Sequence, residues 1–357
     1  MDIKSLFGKN DELEISTIEI KNPDKFDPQT LRVFERYFVN KIPVLFTLVG
    51  LPGSGKSELA KNITYDKQSP VIHSSDELRK ELYGDYECSD KNSELFAELH
   101  KRIKADLRAG KSVIYDATNL RKNNRIAFNQ ELKKIDCYKV CVCLMTPYEE
   151  CIKRNNARFR KVPVSVIERM YKHWSPPALD EGYDDIILIY SYGDTEPSKY
   201  ELINFFYGDI DAVYIDQKNK HHSLTIGDHC LTSARYMIKK YWEDVTNDGI
   251  DLVFAALLHD IGKPFTKSFK NYKGEIDGDC HYYNHENCGA YDSMFYTKQT
   301  GLSLKNIISV SNLIYYHMMP FTSFKQSERS MRRVRKQIGE VQFSKLCKLH
   351  EADLAAH

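Results

Sequence analysis

The sequence has 357 residues, and at about 150 residues per domain this length predicts two domains. Its 51 Lys and Arg residues against 50 Asp and Glu give a net charge of +1, which excludes a uniformly basic protein of the histone type but leaves room for local basic patches. No apolar run reaches the roughly 20 residues that a membrane helix needs, and the first residues lack the apolar core of a secretory signal. We therefore expect a cytoplasmic protein with no membrane partner.

Nine cysteines are scattered along the chain without a Cys-x-x-Cys pair, which argues against zinc-ribbon and thioredoxin-like sites. Cys141 and Cys143 lie in the apolar run VCVCLM. This setting favours two reduced thiols packed in a core over a redox pair.

The first half of the chain alternates short apolar runs with longer helical stretches. An N-terminal extension over residues 1–40 includes a predicted helix at 27–39. Apolar strands separated by helices are typical of a parallel sheet with helices on both faces, so we predict an α/β domain over residues 41–200. The predicted strands are 43–49, 70–75, 112–117, 138–145 and 185–190.

The second half has a different pattern. Residues 201–221 are rich in turn-forming residues and predict a linker. From residue 222 to 357 apolar residues recur at spacings of three and four, which predicts an all-α domain. The clearest helical stretches are 231–242, 251–258, 301–317 and 330–354.

A phosphate-binding loop follows the first predicted strand of the α/β domain. The segment GLPGSGKS matches G-x-x-x-x-G-K-[ST] and precedes a helix, where backbone N–H groups point at bound phosphate. The lysine of this motif reaches the β- and γ-phosphates and the hydroxyl serves Mg²⁺. The residues predicted to bind ATP and Mg²⁺ are Gly50, Pro52, Gly53, Ser54, Gly55, Lys56 and Ser57.

Polar residues also follow the next two strands. Asp76 and Arg79 are three apart at a predicted helix start, where the carboxylate could take a proton from an attacking hydroxyl and the guanidinium could hold an acceptor phosphate. The alternative is that Asp76 is a helix N-cap beside a solvated arginine. Asp116 follows the third strand, where a carboxylate commonly serves Mg²⁺ or water; here the alternative is a turn or cap.

A basic segment follows the fourth strand. If it is helical, Arg154 and Arg158 lie one turn apart on one face and could close over the transferring phosphoryl group. The alternative is an exposed basic helix face. The position in the chain, where nucleotide kinases carry their lid, favours the first interpretation.

Together the segments GLPGSGKS, SSDELR, DATNL and RNNARFRKVPVSVIERMY resemble the bacteriophage and bacterial 5′-hydroxyl polynucleotide kinases over roughly residues 43–190. The resemblance implies that Lys56 and Ser57 serve ATP and Mg²⁺ and that Asp76 is the general base. It also implies roles for Arg79 and Asn119 at the acceptor, and for Arg154 and Arg158 at the donor phosphates. Some members carry the carboxylate directly before Thr-Asn, whereas here Ala117 intervenes after Asp116.

Histidines and aspartates with the character of metal ligands occur along the second half. His259 and Asp260 close an apolar helix, and a set of similar residues surrounds them: His229, His285, His317 and Asp353. Each histidine alone is more often a structural residue, but the ordered set favours a metal site in a helical bundle. Imidazole with carboxylate suits Mn, Fe, Co, Ni or Zn.

This order resembles the HD phosphohydrolase superfamily over about residues 222–357. The resemblance implies one metal held by His229, His259, Asp260 and Asp353. It further implies that His285 and His317 complete a second metal or bind substrate phosphate. Lys263 would stabilise developing charge, and His222 would line the same pocket.

A local cluster of basic residues lies near the C-terminal end, formed by Lys325, Arg329, Arg332, Arg333, Arg335 and Lys336. It is either an exposed helix face or a stripe that contacts nucleic-acid phosphates. Nothing in the sequence indicates that bases are recognised, so we expect little sequence preference.

These features predict an ATP- and Mg²⁺-dependent kinase of RNA or DNA 5′-hydroxyl ends, joined to a phosphohydrolase with one or two transition metals. Such a pair suits the healing and repair of nucleic-acid ends, with an RNA ligase as a candidate partner. Three alternatives stay open: a kinase of small molecules or tRNA-linked acceptors, an HD nucleotidase regulated by ATP, and an HD scaffold that only binds nucleic acid.

Overall fold

The computed structural model describes residues 16–19, 28–38, 42–63, 69–84, 91–208, 212–218, 223–243, 249–324 and 327–356. The chain forms two compact units. The first comprises Met1–Ile167 and Pro177–Thr195, and the second comprises Glu168–Pro176 and Glu196–His357. The described residues of the predicted linker 201–221 fall within the second unit, and the domain boundaries stay a prediction.

The first unit is built on a six-stranded sheet of order β1-β6-β5-β2-β4-β3, in which every pairing is parallel. The five predicted strands are confirmed. The sixth, β1, lies in the predicted N-terminal extension and pairs with β6 at the sheet edge. The strands are β1 Ser16–Glu19, β2 Val44–Val49, β3 Val71–Ser74, β4 Val113–Asp116, β5 Tyr138–Met145 and β6 Asp185–Tyr190.

Alternate residues of the central strand β2 enter different hydrophobic clusters. Val44, Phe46 and Leu48 join one cluster. Leu45 joins another, with residues of the helices Asn92–Arg108 and Lys122–Glu131. Since successive side chains of a strand point to opposite faces, both faces of the sheet are buried. The predicted α/β class is therefore confirmed. The helices between residues 28 and 171 are α1 Pro28–Glu35, α2 Lys56–Asn62, α3 Ser75–Tyr83, α4 Asn92–Arg108, α5 Lys122–Glu131, α6 Tyr148–Ala157 and α7 Val164–Tyr171.

A buried ion pair fixes the loop that follows β4. Arg125 of α5 donates to both carboxylate oxygens of Glu181, at 2.6 and 2.8 Å, and to the backbone carbonyls of Asn119 and Leu120. Both charged side chains are almost completely buried. Four contacts from one guanidinium therefore hold this loop in place.

Replacing Arg125 by methionine should lower the free energy of unfolding by about 3–5 kcal/mol, because it leaves the Glu181 carboxylate buried without its partner. Urea denaturation measures this. The control is Lys101→Ala, which breaks an exposed ion pair with Glu98 and should cost less than about 1 kcal/mol. Equal losses in the two variants would contradict a structural role for the buried pair.

The second unit is helical, as predicted, with a short antiparallel hairpin of β7 Ser268–Lys270 and β8 Ile276–His281 that the pattern did not indicate. The predicted stretch 330–354 is two helices, because Gly339 adopts a left-handed φ of 82° between them. Within the described ranges no helix has the length and apolar character to cross a bilayer. The helices are α8 Leu202–Tyr207, α9 Ile226–Lys240, α10 Ile250–Leu258, α11 Lys263–Thr266, α12 His285–Gln299, α13 Leu304–Tyr316, α14 Glu328–Ile338 and α15 Glu340–Leu354.

Candidate active sites

The predicted phosphate loop joins β2 to α2, and two of its glycines are required by geometry. Gly55 precedes the helix with φ of 98°, and Gly53 has φ of 89°. A Cβ atom on Gly53 would lie 2.3 Å from the carbonyl oxygen of Cys151. Since only glycine fits such a backbone at this distance, the loop can wrap tightly around its own centre and present its N–H groups there.

Lys56 lies inside this loop. Its Nζ donates to the carbonyl oxygens of Gly50 and Leu51, both at 2.9 Å, and approaches Ser54 Oγ at 3.4 Å. Burial lowers the pKa of Lys56, and the charge of Asp116 opposes that effect. The ammonium group therefore lies inside the wrapped loop, and its contact with phosphate stays a prediction.

Asp116 ends β4 and is 5% exposed. Burial raises its pKa, while the charge of Lys56 and a hydrogen bond from the Ser57 hydroxyl lower it. The structure thus brings together a carboxylate and a hydroxyl, the oxygen ligands that Mg²⁺ prefers. The side-chain amide of Asn119 donates a hydrogen bond to Leu48 O at 2.9 Å. The predicted role of Asn119 in binding the phosphoryl acceptor stays a prediction.

Asp76 lies in the first turn of α3 but does not cap it. The cap is Ser74, whose hydroxyl accepts from the Glu77 amide, so the alternative interpretation of Asp76 as an N-cap is wrong. The Asp76 carboxylate is half-exposed and lies 3.3 Å from Arg79 Nη1. The charge of Asp76 raises the pKa of both Lys56 and Asp116. Asp76 therefore lies on the side of the sheet that carries the phosphate loop.

The basic segment after β5 departs from the prediction. Helix α6 ends at Ala157, and Arg158 has extended backbone angles, so Arg154 and Arg158 do not share one helix face. The physical reason is Asn155, whose side chain makes two hydrogen bonds of 2.9 Å to the backbone of Val162. These bonds close residues 158–161 into a loop, which we call the lid loop.

The three arginines of this region have different partners. Arg154 is fixed by Glu150 Oε1 at 2.6 Å and Ser191 Oγ at 3.1 Å. Arg158 is exposed, and its charge lowers the pKa of both Lys56 and Asp116.

Arg160 was given no role from the sequence. Its Nη1 lies 2.8 Å from Asp76 Oδ2, so the predicted base contacts guanidinium groups from two separate segments. Only the closure of the lid loop brings Arg160 to Asp76, and the sequence carries no signal for that closure.

The histidines predicted as metal ligands converge in the second unit. His229 lies on α9, His259 and Asp260 follow α10, His285 begins α12, and all are buried. The Nε2 atoms of His229 and His259 are 3.0 Å apart. Those of His285 and His317 are also 3.0 Å apart, so the four rings form two pairs.

The opposite ring nitrogen of each histidine is held by the backbone. Because a carbonyl oxygen can only accept, each Nδ1 carries the proton, so each Nε2 has a lone pair of the kind that binds a metal. The acceptors of His229, His259, His285 and His317 are the carbonyl oxygens of Ala356, Ala256, Tyr282 and Ile314, at 3.2, 2.9, 2.7 and 2.6 Å.

Asp260 lies between the two histidine pairs. Its Oδ2 is 3.6 Å from His229 Nε2 and 3.5 Å from His259 Nε2, while its Oδ1 is 3.3 Å from His285 Nε2. Two groups able to hold a metal therefore share this carboxylate: His229, His259 and Asp260 form one, and Asp260, His285 and His317 form the other. Imidazole and carboxylate donors of this kind fit a transition metal, which these residues would hold.

The electrostatics of the centre lower the pKa of both Asp260 and His317. Burial raises the pKa of Asp260, but the charges of Lys263 and His259 outweigh it and hold that pKa well below its usual range. Burial lowers the pKa of His317 to about 3. Asp353, on α15, adds a carboxylate oxygen 3.0 Å from His229 Nε2.

Lys263 is held against Asp260, at 2.6 Å, by a residue that the sequence analysis missed. Gln217 is fully buried, and its Oε1 accepts from Lys263 Nζ at 2.7 Å. An isolated glutamine before a helical region gives no sequence signal, because its role depends on a tertiary contact. The predicted pocket residue His222 lies outside the described residues.

Comparisons with known proteins agree with this division. The family model of the AAA domain matches residues 45–177, and that of the HD domain matches residues 226–349. The chain therefore combines a P-loop kinase domain with an HD domain, as the sequence resemblance predicted.

Individual relatives match part of the chain. An L-seryl-tRNA(Sec) kinase from Methanococcus maripaludis is 30% identical over 151 residues, which is 40% of this chain and 56% of that protein. A structure of the Pnkp1/Rnl/Hen1 RNA repair complex matches 36% of this chain and 43% of the other, with 24% identity and a TM-score of 0.32. The structure of a gluconokinase from Sinorhizobium meliloti 1021 matches 42% of this chain and 83% of the gluconokinase chain, with 17% identity and a TM-score of 0.32. The chain thus spans only about half the length of the tRNA kinase.

Proposed function

We propose that this protein heals the ends of broken nucleic acids, with a P-loop kinase that phosphorylates 5′-hydroxyl ends and an HD phosphohydrolase that removes phosphate from other ends. One observation carries the kinase proposal: the half-exposed carboxylate of Asp76, on the phosphate-loop side of the sheet, contacts both Arg79 and Arg160. A base and two phosphate-binding groups beside a P-loop suit an acceptor that carries both a hydroxyl and a phosphate.

In the proposed kinase reaction the 5′-oxygen of the acceptor attacks the γ-phosphorus of ATP, the bond from that phosphorus to the bridging oxygen breaks, and ADP leaves. Asp76 takes the proton of the hydroxyl. Lys56 and the loop amides hold the donor phosphates, and Ser57 with Asp116 would hold Mg²⁺, which neutralises phosphate charge when bound. Arg79 would hold the acceptor phosphate and Arg158 the donor.

In the proposed HD reaction a phosphate ester is hydrolysed at the centre around Asp260. Bound metal would supply Lewis acidity and an activated water. The four histidines hold their Nε2 atoms in place through backbone contacts of Nδ1, and Asp260 bridges the two positions. Lys263, next to Asp260, would stabilise negative charge that develops on the phosphoryl oxygens.

The combination has a chemical rationale. RNA cleavage that leaves a 5′-hydroxyl and a 2′,3′-cyclic phosphate requires phosphorylation of the 5′ end and two hydrolyses at the other end before ligation. One water opens the cyclic diester to a phosphate monoester, and a second water releases inorganic phosphate. A kinase and a phosphohydrolase in one chain would supply these reactions. An RNA ligase would then be the enzyme that uses the products.

A second candidate is a kinase of a tRNA-linked hydroxyl, which the 30% identity to the L-seryl-tRNA(Sec) kinase supports. An acceptor panel separates the two. We expect labelled γ-phosphate to pass to single-stranded 5′-hydroxyl oligonucleotides in preference to free nucleosides or seryl-tRNA. Label on seryl-tRNA alone would favour the second candidate and remove the first.

The contact of Arg160 with Asp76 gives a sharper test of the kinase site. We expect Arg160→Gln to lower kcat for a 5′-hydroxyl oligonucleotide about tenfold, because a charge-assisted contact worth about 1.5 kcal/mol is lost at the acceptor. The KM for ATP should not change, since Arg158 is retained. The matched control is Lys161→Gln, which removes an exposed charge from the next position of the lid loop and should have no effect. Equal effects of the two variants would count against a specific role for Arg160.

A further inference from the structure

Helix α14 carries five cationic side chains, and four of them lie on its outward side. Val334 and Ile338 are the buried residues of this helix. At 100° per residue, Arg329, Arg332, Arg333 and Lys336 all point away from that buried edge. Of these four, Arg329, Arg333 and Lys336 are exposed and form no ion pair with the described residues. We call them the basic ridge; Lys325 of the predicted cluster lies outside the described residues.

The acidic residues of this region pair with the other two cations. Arg332 Nη2 lies 2.9 Å from Glu328 Oε2, and Arg335 forms an ion pair with Glu340. Among the residues that the structure describes, none offers a carboxylate within 4 Å of the basic ridge. Two cations of this helix thus have a carboxylate partner, whereas the three of the basic ridge have none among the described residues.

The position of α14 connects the basic ridge to the metal centre. The helix packs against the turn Pro320–Phe324, which closely follows His317, and against α15, which carries Asp353. Both neighbours of α14 therefore include or adjoin a predicted metal ligand.

We infer that the basic ridge binds the phosphodiester backbone of single-stranded nucleic acid, an inference that rests on the proposed function for the identity of the ligand. Its cations span about 10 Å along the helix, so neighbouring phosphates of one strand can be contacted. The outward face carries no apolar side chain, because the apolar residues of α14 face the interior. The ridge therefore offers charge alone, which suits the regularly spaced phosphates of a polyanionic strand. Such contacts position the strand without selecting its sequence.

The helix offers a matched pair of variants for the test. R329Q/R333Q removes two ridge charges, and R332Q/R335Q removes two paired charges from the same helix. For a labelled single-stranded 5′-hydroxyl oligonucleotide, the slope of log binding constant against log salt concentration should fall in magnitude by about 1.4 in the ridge variant, at about 0.7 per phosphate contact. The slope should be unchanged in the control, and circular dichroism should show both variants folded.

Equal slopes for the two variants would overturn the inference. So would a ridge variant that loses binding to phosphatidylserine vesicles or to polyglutamate while its oligonucleotide slope stays that of the wild type. Kinase activity on the same oligonucleotide separates the two proposals. If the wild-type protein transfers no phosphate but the two variants differ in slope, the kinase proposal is refuted and the ridge proposal is supported. If the wild-type protein transfers phosphate and the two slopes are equal, the kinase proposal is supported and the ridge proposal is refuted.

Discussion

Replacing Asp260 by alanine is expected to remove metal from both positions of the HD centre at once. The carboxylate faces His229 and His259 through one oxygen and His285 through the other, so neither position keeps its bridging ligand. Phosphohydrolase activity should fall more than 100-fold, since loss of an outer partner of a metal ligand already costs about 10- to 100-fold. Elemental analysis of the purified protein, together with a phosphate-release assay, measures both effects.

The control for this variant is His317→Ala, which removes one ligand of the second group only. Because His229, His259, Asp260 and Asp353 are untouched, this variant should keep the first metal and lose the second. If Asp260→Ala retained as much metal as His317→Ala, the carboxylate would not bridge two positions. Kinase activity should survive in both variants, because the phosphate loop belongs to the other unit.

Replacing Asp76 by asparagine is expected to lower the kinase kcat by about 10²- to 10⁴-fold, the contribution of a positioned general base. Asparagine keeps the size of the side chain but cannot take the proton at neutral pH. Binding of ATP should be almost unchanged, because Lys56 and the loop amides are intact. Single-turnover transfer to a 5′-hydroxyl oligonucleotide measures kcat, and equilibrium binding of an ATP analogue measures the donor site.

The matched control is Glu77→Gln, which removes an exposed carboxylate from the next position of α3. Its kcat should equal that of the wild type. A fall of similar size in both variants would indicate a general loss of negative charge near the phosphate loop rather than loss of a base.

Local patterns made much of the first unit predictable from the sequence. Apolar runs of strand length and a complete G-x-x-x-x-G-K-S motif depend on neighbouring residues alone, so the five main strands and the loop at Gly50–Ser57 could be read directly. Strand β1 was missed because its sequence, STIE, is not an apolar run and its partner β6 is far away in the sequence. Short edge strands of this kind carry little periodic signal.

The lid loop illustrates what a local pattern cannot supply. The spacing of Arg154 and Arg158 suits one helix face, but the helix ends before Arg158. There the Asn155 side chain donates to the Val162 carbonyl and accepts from the Val162 amide. The contact of Arg160 with Asp76 then spans 84 residues of sequence. Spacing predicted one helix face for Arg154 and Arg158, and that was wrong because the interactions that decide the backbone here are tertiary.

In the HD domain the order of the histidines and aspartates was sufficient to name a candidate ligand set. The sharing of Asp260 by two histidine pairs could not be read, since it depends on which oxygen faces which ring. Gln217 was missed for the same reason, and the hairpin Ser268–His281 was missed because its strands are short and largely exposed. Burial and orientation, rather than residue identity, decide these points.

The most direct test uses one single-stranded RNA that carries a 5′-hydroxyl and a 2′,3′-cyclic phosphate, incubated with ATP, Mg²⁺ and Mn²⁺, with both ends analysed by mass spectrometry. We expect the wild-type protein to phosphorylate the 5′ end and to remove the phosphate from the other end. Asp76→Asn should lose only the first reaction and Asp260→Ala only the second. An RNA that the wild-type protein leaves unchanged at both ends would contradict the proposed function.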